Sequence, residues 1–370
     1  MSDEIGMKTS APPVAMPTAE HERRVRRLIS ALRRKGLDGA FITSPVSRLY
    51  YTGLESTAGT LLVDVAEGPV FVVDFRYILM AKRAMPFAKC VLQRAGMPSQ
   101  VVKSARRWRK CGYERRESVE AFERLKSNLG TPRDWTPIDD EIAAQRSVKS
   151  PIEIKAIRKA VAANDALFSR VFPQIEPGMT EWEARGIFRR EADVLGQGEA
   201  FATIVCAGRN GAECHHEPDA TVIRPRDTLL MDFGVKVDRY CSDMTRCAAF
   251  GKPSPFYREI YSIVLDANRK VISRLRPGMT GKEVDAIARR HISRTGYGDA
   301  FAHSLGHSLG LEIHEGPNFS PAEKREIKPG MTITVEPGIY LPGRLGIRIE
   351  DVVLVTDKGC ECLSSTPRAI

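Results

Sequence analysis

The 370-residue chain contains no long uncharged apolar run. That absence excludes a helical membrane span, which needs about 20 consecutive apolar residues. The first twenty residues, Met1 to Glu20, lack both the basic start and the apolar core of a signal peptide, and they read as a loose tail. Cysteine is modest: the eight residues at 90, 111, 206, 214, 241, 247, 360 and 362 show no zinc spacing. The closest pair, Cys360 and Cys362, reads as two incidental thiols near the end of the last strand. A chain this long needs no disulfides, so reduced thiols and a cytoplasmic location are expected. Histidine is scarcer still, seven in all.

The net charge is +10, and it is uneven. Residues 1–145 carry 24 Lys and Arg against 17 Asp and Glu, or +7, which leaves 32 against 29, or +3, for the remainder. The basic clusters are Arg23 to Arg27 with Arg33, Arg34 and Lys35, and Arg106 to Lys110. An amphipathic helix with Val25, Leu28, Ile29 and Leu32 inward and the arginines outward accounts for the first cluster without a ligand. No recognised nucleic-acid motif accompanies the charge, so neither nucleic acid nor a membrane is an expected partner.

Against these absences stand two pairs of carboxylates at hairpin spacing. In the first, Leu229 to Val237 and Tyr240 to Thr245 read as two strands, and a turn at Val237-Asp238 sets Asp232 across from Asp243. In the second, a turn centred on Gly343 sets Glu336 opposite Glu350. Like charges facing each other on a sheet repel, so two such pairs imply cations between them. Four carboxylates and His307, which lies between the pairs in sequence, suit two divalent ions that share bridging carboxylates. Oxygen donors with a single imidazole favour manganese, with cobalt, zinc and iron(II) as the other candidates.

An internal repeat divides the second part of the chain. Pro177-Gly178-Met179-Thr180 recurs as Pro277-Gly278-Met279-Thr280, and Glu183, Ile187, Arg189 and Arg190 return as Glu283, Ile287, Arg289 and Arg290. Two copies fit pseudo-symmetric halves closing on each other better than a solenoid, which needs at least about three. Each half then supplies one carboxylate hairpin, and the ions lie on the seam. Before the repeat, strand-like segments at Asp38 to Thr43, Thr60 to Val65 and Pro69 to Val73 alternate with helices, which reads as an α/β unit. Arg146 to Pro151 reads as a linker, with Ser150 or Pro151 opening a long helix. The expected divisions are a tail over 1–20, an α/β domain over 21–145 and an α+β catalytic domain over 146–370.

The stretches Gly208 to His215, Asp232 to Arg246, His303 to Pro317, Val335 to Tyr340 and Arg348 to Asp351 resemble the pita-bread metallopeptidases, in the branch of Xaa-Pro aminopeptidase and Xaa-Pro dipeptidase (prolidase). The N-terminal part, with Tyr50 to Gly53 and Asp74 to Tyr77, is similar to that branch's creatinase-type domain. The resemblance implies that Asp232 and Asp243 hold one ion, His307 and Glu336 the other, and that Asp243 and Glu350 bridge. It places His215, His303 and His314 on substrate and transition-state histidines, Arg348 beside the site, and Glu336 as general base. Cys214 stands where the family usually has Pro, Ser308 where it often has Gly, and His216 is an extra imidazole. The implied activity is cleavage before a proline in second position of short peptides, by an aminopeptidase or alternatively a dipeptidase, in a homodimer. A metal-free amidinohydrolase and a non-catalytic binding module of this fold would have lost ligands, and all five are here. Methionine aminopeptidase usually lacks such an N-terminal domain.

Overall fold

The computed structural model of the chain describes residues 16–95, 99–130 and 132–368. Most of the expected tail, Met1 to Ala15, lies outside them, and Thr18 to Glu20 form the first turn of a helix. The chain divides into two units between Arg146 and Ser147.

The N-terminal unit comprises α1 (Thr18–Arg34), β1 (Gly39–Ile42), α2 (Pro45–Thr52), β2 (Thr60–Asp64), β3 (Gly68–Val73), α3 (Ile78–Ala84), β4 (Lys89–Leu92), α4 (Gln100–Ala105), β5 (Lys110–Tyr113), α5 (Val119–Leu129), β6 (Asp134–Pro137) and α6 (Asp139–Ser147). Its sheet has the order β4-β3-β2-β1-β5-β6, antiparallel across β1, β2 and β3 and parallel elsewhere. The α1 stripe of Val25, Leu28 and Leu32 is buried as the periodicity requires. Arg24 departs from the outward expectation, at 1% exposure. Its guanidinium donates to the Tyr50 carbonyl at 2.8 Å and lies 4.0 Å from the centre of the Tyr50 ring, with Glu20 beside it. A buried charge so satisfied is tolerated.

The second unit runs α7 (Pro151–Val171), α8 (Glu181–Leu195), β7 (Ile204–Ala207), β8 (Thr228–Phe233), β9 (Lys236–Val237), β10 (Tyr240–Cys241), β11 (Met244–Ala249), α9 (Pro255–Arg274), α10 (Gly281–Arg294), β12 (Gly306–Ser308), β13 (Glu315–Phe319), β14 (Thr332–Val335), β15 (Gly338–Leu341), β16 (Leu345–Arg348), β17 (Asp351–Val355) and β18 (Cys360–Cys362). Two helices then strands occur twice. The sheet β11-β8-β7 packs its apolar face with α7 and α8 around Phe188 and Phe233, while β13-β12-β14-β17-β18 packs with α9 and α10 around Val264, Val335 and Ile349.

The correspondence reaches single bonds. Thr180 and Thr280 each close a capping box with a Glu three residues on. Gly178 donates to the Ile223 carbonyl at 2.8 Å and Gly278 to that of Ile327 at 2.9 Å. Asn164 donates to the Phe233 carbonyl and Asn268 to that of Val335, at 3.1 and 3.0 Å. Each amide thus ties the first helix of its half to the strand that leads into a carboxylate hairpin.

The second hairpin has the expected register. Gly338 faces Arg348, and beyond the break Val335 faces Asp351, so Glu336 and Glu350 sit opposite each other where the ladder parts. The first hairpin differs. Val237 pairs with Tyr240, so the turn is Asp238-Arg239 and not Val237-Asp238, with φ of 50° and 71° at its two residues. Positive φ at both central residues matches strand twist. Asp232 consequently faces Thr245 and not Asp243. Because side chains alternate along a strand, Asp243, two residues before Thr245, stays on the same face, one diagonal step from Asp232.

Candidate metal centre

Backbone bonds between the two halves bring the hairpins together. Glu350 donates its N–H to the Thr245 carbonyl, and buried Arg246 reaches the Asp351 carboxylate at 2.8 Å. Asp243, His307 and Glu350 then have ligand atoms within 4.8 Å of one another. His307 Nε2 lies 3.4 Å from Asp243 Oδ2 and 3.5 Å from Glu336 Oε1. Its Nδ1 faces the Ser308 carbonyl at 3.2 Å, which can only accept, so Nδ1 is the donor there and Nε2 is the atom turned toward the carboxylates.

The remaining carboxylate, Asp232, is held by Arg348 Nη2 at 2.6 Å through Oδ2, while its Oδ1 is buried and makes no hydrogen bond. Arg348 is the hub. It also donates to Thr245 Oγ1 at 2.9 Å, to the Tyr340 hydroxyl at 2.8 Å and to the Cys214 carbonyl at 3.2 Å. The Thr245 hydroxyl donates a hydrogen bond to Glu350 Oε2 at 2.7 Å, and that of Thr334 donates to Glu336 Oε1 at 3.1 Å.

Burial pushes the Asp243 and Glu350 carboxyls well above the usual range, and the neighbouring carboxylates push them further: Asp232 and Glu336 for Asp243, and Asp243, Glu336 and Asp232 for Glu350. Glu336 is raised by burial, against the pull of His307 and Arg348. Burial opposes the Arg348 charge, yet Tyr340, Asp232, Glu336 and Glu350 outweigh it and raise the guanidinium. Buried like charges gathered round one imidazole, with the Asp232 Oδ1 atom unpartnered, fit divalent cations bound through hard oxygen donors.

The other three expected histidines surround this set. His303 donates from Nδ1 to the Ser304 carbonyl at 2.7 Å, so its Nε2 accepts from the Tyr340 hydroxyl at 3.0 Å. Burial, then Arg348, lowers it to about 4, which keeps the ring neutral. The His314 ring stands edge-on to His307 at 4.3 Å, and burial, His307 and His215 lower it. His215 is exposed, and its charge acts on both His303 and His314. The buried thiols nearby are inert: burial pushes Cys241 up to about 12 and Cys247 up to about 11.

Sequence reasoning passed over Thr245, Thr334 and Tyr340. The first two carry a signal that period-two alternation could have found: each lies two residues from a carboxylate, on the same face of its strand. Tyr340 lies inside a quoted motif, but its bonds to His303 and Arg348 depend on tertiary contact.

Known proteins resemble this chain in sequence and fold. The profile described as metallopeptidase family M24 matches residues 155–357, and that of the creatinase/prolidase N-terminal domain matches 24–148. An Xaa-Pro dipeptidase of Pyrococcus furiosus is 34% identical over 351 residues, or 94% of this chain and 99% of that protein. The solved Xaa-Pro dipeptidase from Bacillus anthracis is 34% identical with a TM-score of 0.90, covering 95% of this chain and 100% of that one. The X-Pro aminopeptidase from Thermotoga maritima is 33% identical with a TM-score of 0.86, covering 94% and 100%. Two repeated halves that meet in a cluster of buried carboxylates, together with both profile matches, identify the fold as pita-bread with a creatinase-type domain before it, and the chain belongs to metallopeptidase family M24.

Proposed function

We propose that the chain hydrolyses the bond before a proline in second position of short peptides, with two divalent ions held by Asp232, Asp243, His307, Glu336 and Glu350. The observation that carries this reading is the clustering of Asp243, His307 and Glu350, with Glu336 beside His307, Asp232 held by Arg348 and the His314 ring against His307. When bound, the ions supply Lewis-acid polarisation of the scissile carbonyl and a water acidified toward neutral pH. Manganese is proposed on the hard-oxygen donor set, with cobalt, zinc and iron(II) as the alternatives.

The chain's own groups account for the proton traffic. Glu336, steadied by Thr334, takes the proton of the attacking water and delivers it onward as general base. His215 or His314 donates to the developing oxyanion or to the leaving nitrogen. His303, neutral and fixed by Tyr340 and Ser304, presents a set orientation to the substrate. Arg348 holds Asp232 on one side and the Cys214 carbonyl on the other, so the ligand and the histidine loop share one anchor. A bond before proline is a tertiary amide with no N–H, so the pocket must recognise ring shape.

Two narrower readings follow. The expected aminopeptidase is supported by likeness to the T. maritima enzyme, and the dipeptidase by likeness to the P. furiosus and B. anthracis enzymes. Hydrolysis of Ala-Pro against Ala-Pro-Ala by manganese-loaded protein separates them. Cleavage of Ala-Pro alone selects the dipeptidase, and cleavage of the tripeptide selects the aminopeptidase. Cleavage of neither refutes the proline reading. We also propose the homodimer, because the N-terminal unit supplies none of the five ligands and so must serve access or assembly. A monomer mass by light scattering refutes it.

A further inference from the structure

The extra imidazole, His216, lies outside the carboxylate cluster and is bound to one of its own. Glu181, the first residue of α8, has 0% exposure, and its Oε2 sits 2.7 Å from His216 Nε2. The same carboxylate accepts from the Ala207 and Asp219 N–H groups at 2.6 and 3.3 Å and from the Asn210 amide at 3.0 Å. One buried side chain thus gathers the end of β7 and both flanks of the following loop. The Asn210 amide has two hydrogens, taken up by Glu181 and by Thr221 Oγ1 at 3.2 Å, so His216 Nε2 is the donor toward Glu181. The other ring nitrogen faces Glu213 at 3.3 Å. A neutral imidazole carries a single N–H, so only the imidazolium satisfies both carboxylates.

The position of this pair in the chain gives it a consequence. His215 stands between two anchors: the carbonyl of Cys214 is held by Arg348, and the side chain of His216 is held by Glu181. The loop is closed against the second hairpin as well, since a Cβ on Gly346 would lie 1.6 Å from the Gly211 carbonyl oxygen. We propose that His216, locked on Glu181, is the positioning residue for His215, fixing the backbone from which that histidine reaches the substrate. This rests on the assignment of His215 to the reaction given above. The charged groups facing His216 are Glu181, Glu213 and Asp219. Burial works against its proton, but these three outweigh burial and raise it above the ordinary histidine value. With the folded pKa raised, the anchor is complete at acidic pH and weakens as pH rises through that value.

The test uses manganese-loaded full-length protein and whichever peptide the wild type cleaves. A misplacement of about 1 Å costs up to about 100-fold, so His216→Ala should lower kcat by about 10- to 100-fold while KM moves by less than about threefold. His216→Gln keeps one N–H toward Glu181 and should recover kcat to within about threefold of wild type, while losing the alkaline decline that a titrating residue 216 imposes. Metal content should be unchanged in both. Wild-type kinetics and pH profile in His216→Ala would overturn the proposal. So would loss of a metal equivalent in that variant, because Glu181, His216 and Asp219 would then be ligands of a further ion. Should the wild type cleave neither peptide, amide exchange over 207–219 decides the matter: faster exchange in His216→Ala but not in His216→Gln upholds the anchor, and unchanged exchange in both overturns it.

Discussion

One guanidinium, 3% exposed, touches Asp232, Thr245, Tyr340 and the Cys214 carbonyl, and through them a proposed ligand, the Glu350 carboxylate proposed to bridge, a neutral histidine and the His215 loop. A planar fork with five donors can hold such partners at fixed angles, and a lysine could not. Division of labour among the neighbours follows from what each can do. Glu336 lies 3.5 Å from His307 Nε2, among the proposed ligands, whereas His215 is exposed and acts on His303 and His314. Glu336→Gln should therefore lower kcat by about 100- to 10,000-fold, the worth of a general base. His215→Ala should lower turnover by about 100- to 1,000-fold, as loss of an oxyanion donor does, with metal content nearly unchanged. Metal analysis alongside the kinetics checks the roles. Loss of ions from His215→Ala, with His307→Ala retaining them, would reverse the assignment of the two histidines.

At the scale of the element, the twin capping boxes make a matched experiment. Thr180 and Thr280 each accept from a Glu N–H, at 3.1 and 3.2 Å, and each Glu returns to the Thr N–H at 2.8 and 2.7 Å. Thr180→Ala and Thr280→Ala should each cost about 1 kcal/mol, measured by denaturant unfolding. Glu181 adjoins only the first cap, so Thr180→Ala should in addition lower turnover while Thr280→Ala leaves it unchanged. The repeat that carries these caps was legible in the sequence, although the caps themselves were not read from it, and so was the second hairpin, because Gly343 takes φ of 72° and marks its own turn. The first hairpin was misplaced by one residue because its turn uses Asp238 and Arg239 at positive φ, where glycine would have given the sign. Arg24 was misread for a related reason. Helical periodicity ranks side chains by polarity, and it cannot see the Tyr50 carbonyl and ring that receive this one. Likewise Glu181 lies 35 residues from His216, and nothing local to either announces the other.

For the whole molecule, the repeat puts its functional cost in one place. Each half folds around its own apolar cluster, and the seam between them is polar: Asp243, Glu350 and Arg348 at 5%, 1% and 3% exposure. Ions that bind there bind only the folded chain, so their removal should lower the melting temperature, by an equivalent of about 2.7 kcal/mol per ion present at a hundredfold over its Kd. The pH dependence of the chelated chain has a definite sign. Asp243 and Glu350 have folded pKa values well above the ordinary carboxyl range, so the folded state holds protons that the unfolded state releases. Their contribution is fully present below the unfolded value near about 4 and is lost as pH rises through the folded value. Chelated protein should therefore melt higher at pH 5 than at pH 8. In the loaded protein protons compete with the ions for the same oxygens, so its melting temperature should fall toward pH 5 and the gap between the two forms should close. Glu350→Gln removes one of the charges without changing its shape, and the chelated variant should show a shallower pH dependence than chelated wild type. A chelated wild type whose melting temperature is flat or rises from pH 5 to pH 8, with Glu350→Gln indistinguishable from it, would mean that the seam does not store the repulsion its geometry requires.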